Sequence, residues 1–229
     1  VIKRTALAEF VMQRRGGKIA LSLDDDDELV FAALTHGNSD VMIAMRDGKA
    51  VRFREDTVRE MGRTARGVKG VSLAEGDSVA GACIVENDPD WMAAHQLLTI
   101  TEKGFGKRTD PSLFETRGRG TKGMICHNIT ERTGRLCGIA VVDDDCDILL
   151  ITDDGTMIRT PADGISTFGR AASGVIVMRV AEGSAIANFA ITGKAKEEEA
   201  DAETDEADTE TEEAEIAEAG NSNDTDTEE

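Results

Sequence analysis

The feature that most restricts the fold is a self-repeat with fixed internal spacing. Three times a turn glycine is followed four residues later by an arginine, ten further on by a second glycine and five beyond that by a third. The sets are Gly48, Arg52, Gly62, Gly67; Gly104, Arg108, Gly118, Gly123; and Gly155, Arg159, Gly169, Gly174. An arginine follows each middle glycine, as Arg63, Arg119 and Arg170. A looser first copy, residues 2–23, fits the pattern once one residue is deleted. Units of about 50 residues repeated in this way imply small modules that bury their apolar faces against one another.

Ahead of each turn glycine lies a short apolar run, VMIAM (41–45), LLTIT (97–101) or ILLIT (148–152). Its length and branching suit a strand buried on both faces. Asp47-Gly48, Lys103-Gly104 and Asp154-Gly155 supply the positive φ of a tight hairpin. After the Gly/Arg loop, two more apolar runs flank Gly76, Gly134 or Gly183, so each unit reads as two hairpins, four strands in all. Period-two patterning and glycine density exclude helical repeats. The expected fold is all-β, a propeller-like ring of four-stranded blades with about four repeats, one of them partial. The repeats are placed at 1–38 (partial), 39–94, 95–143 and 144–193, and 194–229 is expected to be a disordered acidic tail, too poor in large apolar residues to fold. No cap or turn precedes the first strand-like run at Val1, so the N-terminus is expected to have been cut from something longer.

The net charge of −19 belongs to the tail: residues 195–229 hold 17 Asp and Glu against Lys196, leaving the remainder at −3. Overall acidity therefore does not exclude a nucleic-acid partner for the body. Acids still outnumber bases there, and the chain has 17 Arg against 9 Lys, a balance associated with high-salt proteins, so a halophilic source is expected. No signal peptide and no apolar run of membrane-spanning length is visible, and the chain reads as soluble and cytoplasmic. Cys83, Cys126, Cys137 and Cys146 form no CxxC pair and read as buried reduced thiols.

Catalytic chemistry finds little support. His36, His95 and His127 sit in different repeats without a hydrolase or metal motif, the acidic runs 24–28 and 143–147 lack the glycine of a calcium loop, and tyrosine is absent. No catalytic or metal-binding residue is assigned. What recurs is basic: Lys3, Arg4, Arg14, Arg15 and Lys18; Arg52, Arg54, Arg63, Arg66 and Lys69; Lys107, Arg108, Arg117, Arg119 and Lys122; Arg159 and Arg170. In a ring these positions would form a rim of cations, and glycine loops would let backbone N–H groups reach the phosphates of a duplex. Scarce aromatics argue against single-strand binding. Three alternatives stay open: ordinary surface charge, glycines that only end strands, and a propeller used as a protein-interaction platform.

The segments RDGKAVRF with MGRTARGVKGVSL, EKGFGKRT with RGRGTKG, and CDILLITDDGTMIRT with STFGRAASGVIVMRV closely resemble the C-terminal β-pinwheel of the DNA gyrase A subunit, over about residues 1–192. The corresponding topoisomerase IV subunit has a similar, more degenerate ring. The resemblance implies a DNA-binding module that bends a duplex around its outer edge to support ATP-dependent negative supercoiling. It implies no cofactor on this chain, with ATP and Mg used by the assembled enzyme. The implied partners are double-stranded DNA, the rest of gyrase A, and the gyrase B subunit in an A2B2 assembly, with a nucleoid location and no membrane. Gln13–Lys18 approaches the family's QRRGGKG box, but Ile19 stands where its last glycine is expected. The repeat count also falls short of the five or six blades usual in the family.

Overall fold

The computed structural model describes residues 1–11 and 16–194, so Arg14, Arg15 and the acidic tail from residue 195 lie outside the described residues. Lys194, assigned to the tail from sequence, is still tied in, its N–H donating to the Asp145 carbonyl (3.0 Å) and its ammonium pairing with Asp163 (3.0 Å).

Eleven strands are named among the described residues: β1 (Ser39–Met45), β2 (Lys49–Arg54), β3 (Val79–Glu86), β4 (Gln96–Thr101), β5 (Phe105–Thr109), β6 (Met124–Ile125), β7 (Leu136–Val142), β8 (Cys146–Thr152), β9 (Met157–Pro161), β10 (Val175–Ile176) and β11 (Ile186–Gly193). They form sheets in the orders β3-β1-β2-β6, β10-β5-β4-β7 and β11-β8-β9. The expected hairpins close at Gly48, Gly104 and Gly155, with φ of 79°, 79° and 87°. All seven residues of β1 are buried, as a strand covered on both faces requires.

The second hairpin of each unit is not formed. Its first strand is only two residues long and crosses to the preceding repeat: β6 pairs with β2, and β10 pairs with β5. In the partial first repeat, Ile2 bridges Val68 in the same way. Glycine makes the crossing possible. A Cβ on Gly67 or Gly123 would lie 2.6 Å from the carbonyl oxygen of Ile2 or Ala50, and one on Gly174 would meet Gly106 more closely still.

Two of the apolar cores follow the same logic and lie across the boundaries between repeats, while a third, with Val41, Ile43, Val51 and Phe53, lies within the second repeat. One packs Met42, Ala44, Ala50, Cys83 and Val85 with Leu97, Phe114, Cys126, Leu136 and Ile139. Another joins Leu98, Ile100 and Val142 with Ile148, Leu150, Met178 and Ile186. β7 packs between β3 and β11, where Gly81 and Gly138 admit the neighbouring strand, so these three strands form the inner edges. The exchanged strands β6 and β10 occupy the opposite, outer edges.

Gly104 and Gly155 hold equivalent turns, yet a Cβ on Gly104 would collide with the Met178 carbonyl while one on Gly155 meets nothing. Gly155→Ala should therefore cost only the left-handed backbone penalty of about 1–2 kcal/mol. Gly104→Ala should cost a further ~1–3 kcal/mol from forced displacement of the crossing strand, read from denaturant midpoints.

Candidate nucleic-acid interface

The loops that lead into the exchanged strands carry the repeated arginines. Each lies on the repeat before it and is fastened by the residue after its middle glycine. Arg63 Nη1 donates to the Ile19 carbonyl (2.8 Å), Arg119 Nη1 to that of Lys69 (3.1 Å) and Arg170 Nη1 to that of Ile125 (3.1 Å). All three acceptors stand two residues beyond the last glycine of the preceding copy, counting Gly17 in the first. Part of the fixed Gly/Arg spacing is thus a staple across each seam.

The arginine four residues after the turn glycine is a second staple. Arg52 Nε pairs with Asp40 (2.8 Å), and its Nη1 donates to the carbonyls of Pro111 (2.8 Å) and Phe114 (3.2 Å) in the next repeat. Arg108 repeats this on the carbonyls of Ile165 (2.7 Å) and Asp163 (3.2 Å) and pairs with Asp144 (2.5 Å). Arg159, by contrast, stays within its own repeat, pairing with Asp147 (2.7 Å) and donating to the Gly193 carbonyl (2.7 Å). At 5% exposure, Arg52 does not present its guanidinium to a phosphate, and Arg108 is largely spent on the next repeat.

Lys107 requires the same correction. It has no exposed surface, and its ammonium donates to the carbonyls of Gly169 (2.7 Å) and Arg170 (2.6 Å), while burial pushes its pKa down to about 8. Lys3 makes the matching clasp on the first seam, donating to the carbonyls of Ala20 (2.8 Å), Gly62, Arg63 and Ala65 (3.3 Å). Arg4 is half-buried, and Lys18, also half-buried, donates to the Glu9 carbonyl (3.1 Å). Arg52, Arg108, Lys107 and Lys3 lock repeats together. Sequence spacing could not separate them from rim cations, although one signal was present: Asp40 and Asp147 each lie twelve residues before their arginine partner.

The cations left at the surface gather on the outer edges. At the second seam Arg119, Lys69 and Lys122 are exposed, and among the described residues the two lysine ammonium groups make no hydrogen bond or ion pair. The Lys69 stem runs past Gly120, whose Cβ position is 3.8 Å from its Cγ, and Ser72 Oγ donates to the Gly120 carbonyl (2.9 Å), so the three cations share one stretch of surface. Arg66, 75% exposed, pairs with Asp24 (2.7 Å), and exposed Arg117 with Glu115 (2.8 Å). Arg54 reaches Asn38 (3.2 Å) and Asp56 (3.4 Å). The third seam is poorer: Arg170 is half-buried beside the Phe114 ring, while Ser173 and Ile125 stand where the second seam has Lys122 and Lys69. Lys49, Arg59, Lys103, Arg132 and Arg179 are exposed cations outside the repeat positions singled out from sequence.

The histidines and cysteines build no reactive centre, and no cluster of three metal-ligating side chains occurs among the described residues. His95 stacks on Trp91 with ring centroids 4.2 Å apart, and His36 is exposed. His127 is buried between Thr99 and Ser173; its Nε2 faces the Ser173 carbonyl (3.0 Å) and must donate, so Nδ1 accepts from the Thr99 hydroxyl (3.0 Å). Cys83 and Cys126 are buried free thiols pushed up to about 12 by burial, and Cys137 and Cys146 are half-buried. No helix among the described residues is long and apolar enough to cross a membrane.

The family model of the DNA gyrase C-terminal domain, described as a beta-propeller, matches residues 1–36, 40–85, 95–143 and 147–192. The chain belongs to this family. The DNA gyrase A subunit of Salmonella typhimurium is 45% identical over 181 residues, 79% of this chain and 20% of that protein. Its counterpart in Haloquadratum walsbyi is 40% identical over 188 residues, 82% of this chain and 21% of that protein. The chain thus spans about a fifth of the length of the curated relatives it matches. A gyrase A C-terminal domain structure superposes with a TM-score of 0.68 at 26% identity, covering 77% of this chain and 58% of that one. The C-terminal domain of topoisomerase IV superposes at 0.75 with 24% identity, covering 83% and 58%, and shares the fold.

In this gyrase-family chain, burial and the neighbouring Lys107 charge depress His127 to about 4, so the unfolded state binds its proton first as pH falls. The sign follows: stability contributed above pH 6.5 should be lost between 6.5 and 4, by at most about 3 kcal/mol. Unfolding free energies of the parent and His127→Gln, compared at both ends of that window, should show the parent losing about 3 kcal/mol more than the variant, which lacks the titrating imidazole.

Proposed function

We propose that this chain is the DNA-binding and DNA-wrapping domain of a DNA gyrase A subunit, bending a duplex along the outer edges of its sheets with no chemistry of its own. The observation that carries the reading is the second seam: Arg119, Lys69 and Lys122 lie exposed together on backbone held rigid by the strand exchange. Contacts of this type neutralise phosphates without reading bases, so binding is strong at low salt and indifferent to sequence. Bending a stiff duplex costs energy that successive phosphate contacts must offset, and repeats that present them along connected edges suit that task. Identity of 45% to a gyrase A subunit favours gyrase over topoisomerase IV.

On this reading the domain works beside the breakage-and-reunion part of gyrase A and, together with the B subunit, within an A2B2 enzyme on nucleoid DNA, while ATP and Mg act elsewhere in the assembly. The wrap would feed one segment to the cleavage gate. One observation favours a second use, docking of another protein, at the third seam: Leu113, Ile125, Ala171 and Ala172 line a shallow notch of about 590 Å³ beside Arg170.

Titrating a mixed-sequence duplex across salt concentrations tests the DNA reading. Lys69→Ala with Lys122→Ala should weaken binding uniformly across sequences and flatten the log–log salt slope by about 1 per lysine removed. Unchanged affinity and slope would count against it.

A further inference from the structure

Nine glycines recur at fixed places in the three complete copies, and the fold accounts for six of them. Gly48, Gly67, Gly104, Gly123, Gly155 and Gly174 all hold positive φ, and all but Gly155 also face a neighbouring repeat too closely for a Cβ. Gly62, Gly118 and Gly169 differ on both counts. Their backbone lies outside the left-handed region, and a Cβ built on any of them meets no atom within 4 Å.

Each of the three immediately precedes a turn that carries a seam arginine. Gly62 and Gly169 accept the N–H of Ala65 (3.1 Å) and Ala172 (3.2 Å), which is the first position of a turn, where most residues serve. A glycine there raises the entropy lost on folding and gives the fold nothing in return. Its remaining property is a bare main chain toward the outside. Among the described residues nothing accepts the main-chain N–H of Gly118, Arg119, Gly169 or Arg170. The guanidinium beside each bare position is fixed by its staple, with Nη2 free of any hydrogen bond in Arg119 and Arg170.

We propose that Gly62, Gly118 and Gly169 are the points where the sugar–phosphate backbone of a duplex comes against the protein main chain, so that a side chain there is excluded by bound DNA and not by the fold. A phosphate oxygen would accept from the main-chain N–H and from the stapled guanidinium together, one such cradle at each seam. The inference deepens the DNA reading above and rests on it.

The test uses the full chain with Gly118→Ala, Gly169→Ala and the pair combined, beside Lys69→Ala/Lys122→Ala and the parent. Thermal melts and binding to a fluorescent mixed-sequence duplex are measured for all. The glycine variants should melt at or above the parent temperature, since the substitution trims only the freedom of the unfolded chain. Each should nevertheless bind the duplex roughly five- to ten-fold more weakly, as a lost charge-assisted hydrogen bond would. Parent-like binding by the glycine variants, with weakened binding by the lysine pair, would overturn the cradle and leave the DNA reading standing. Parent-like binding by every variant would overturn both. Gly123→Ala serves as the contrast, because a Cβ there meets the Ala50 carbonyl and must lower the melting temperature.

Discussion

The structure depends on a two-residue strand leaving its own repeat to complete the sheet of the one before. That crossing brings the Gly123 main chain against Ala50 and that of Gly174 against Gly106, at separations only glycine allows. Once made, it determines the rest. Two apolar cores lie across seams, Arg52 and Arg108 reach carbonyls of the following repeat, and buried Lys107 clasps its loop. The loops that carry the exposed cations are thereby tied to the repeat before them.

This arrangement gives the recurrent basic residues two jobs that composition alone cannot distinguish. Burying Lys107 and Arg52 removes two charges from water; carbonyls across a seam compensate both, with Asp40 of its own hairpin also pairing Arg52, and these contacts fix how neighbouring repeats meet. Of the remaining cations, Arg119, Lys69 and Lys122 sit together at the second seam, where they remain solvated and open to a polyanion. On the proposed reading, a duplex bound there would meet a surface whose shape is set by seam packing.

Much of the fold was legible because the repeat spacing is a strict signal. Apolar runs, turn glycines and the all-β architecture follow from VMIAM, LLTIT and ILLIT and from the positive φ at Gly48, Gly104 and Gly155. The strand exchange was not legible, because VKG, MIC and VIV look alike whether they pair within a repeat or with its neighbour, and only the room beside Gly67, Gly123 and Gly174 decides. The basic set was half legible. Equivalent positions were found, but burial depends on depth in the sheet, and residues one apart, such as Lys107 and Arg108, serve different contacts. Arg14 and Arg15 lie outside the described residues.

The central claim is that these edges impose a curved path on a duplex instead of merely holding it. Closing a nicked plasmid with ligase in the presence of increasing amounts of the full chain, then removing the protein, reads that path as a change in linking number. A wrapping surface predicts a shift in the topoisomer distribution that grows with bound protein. An unshifted distribution on plasmid shown to be saturated with the protein would contradict it.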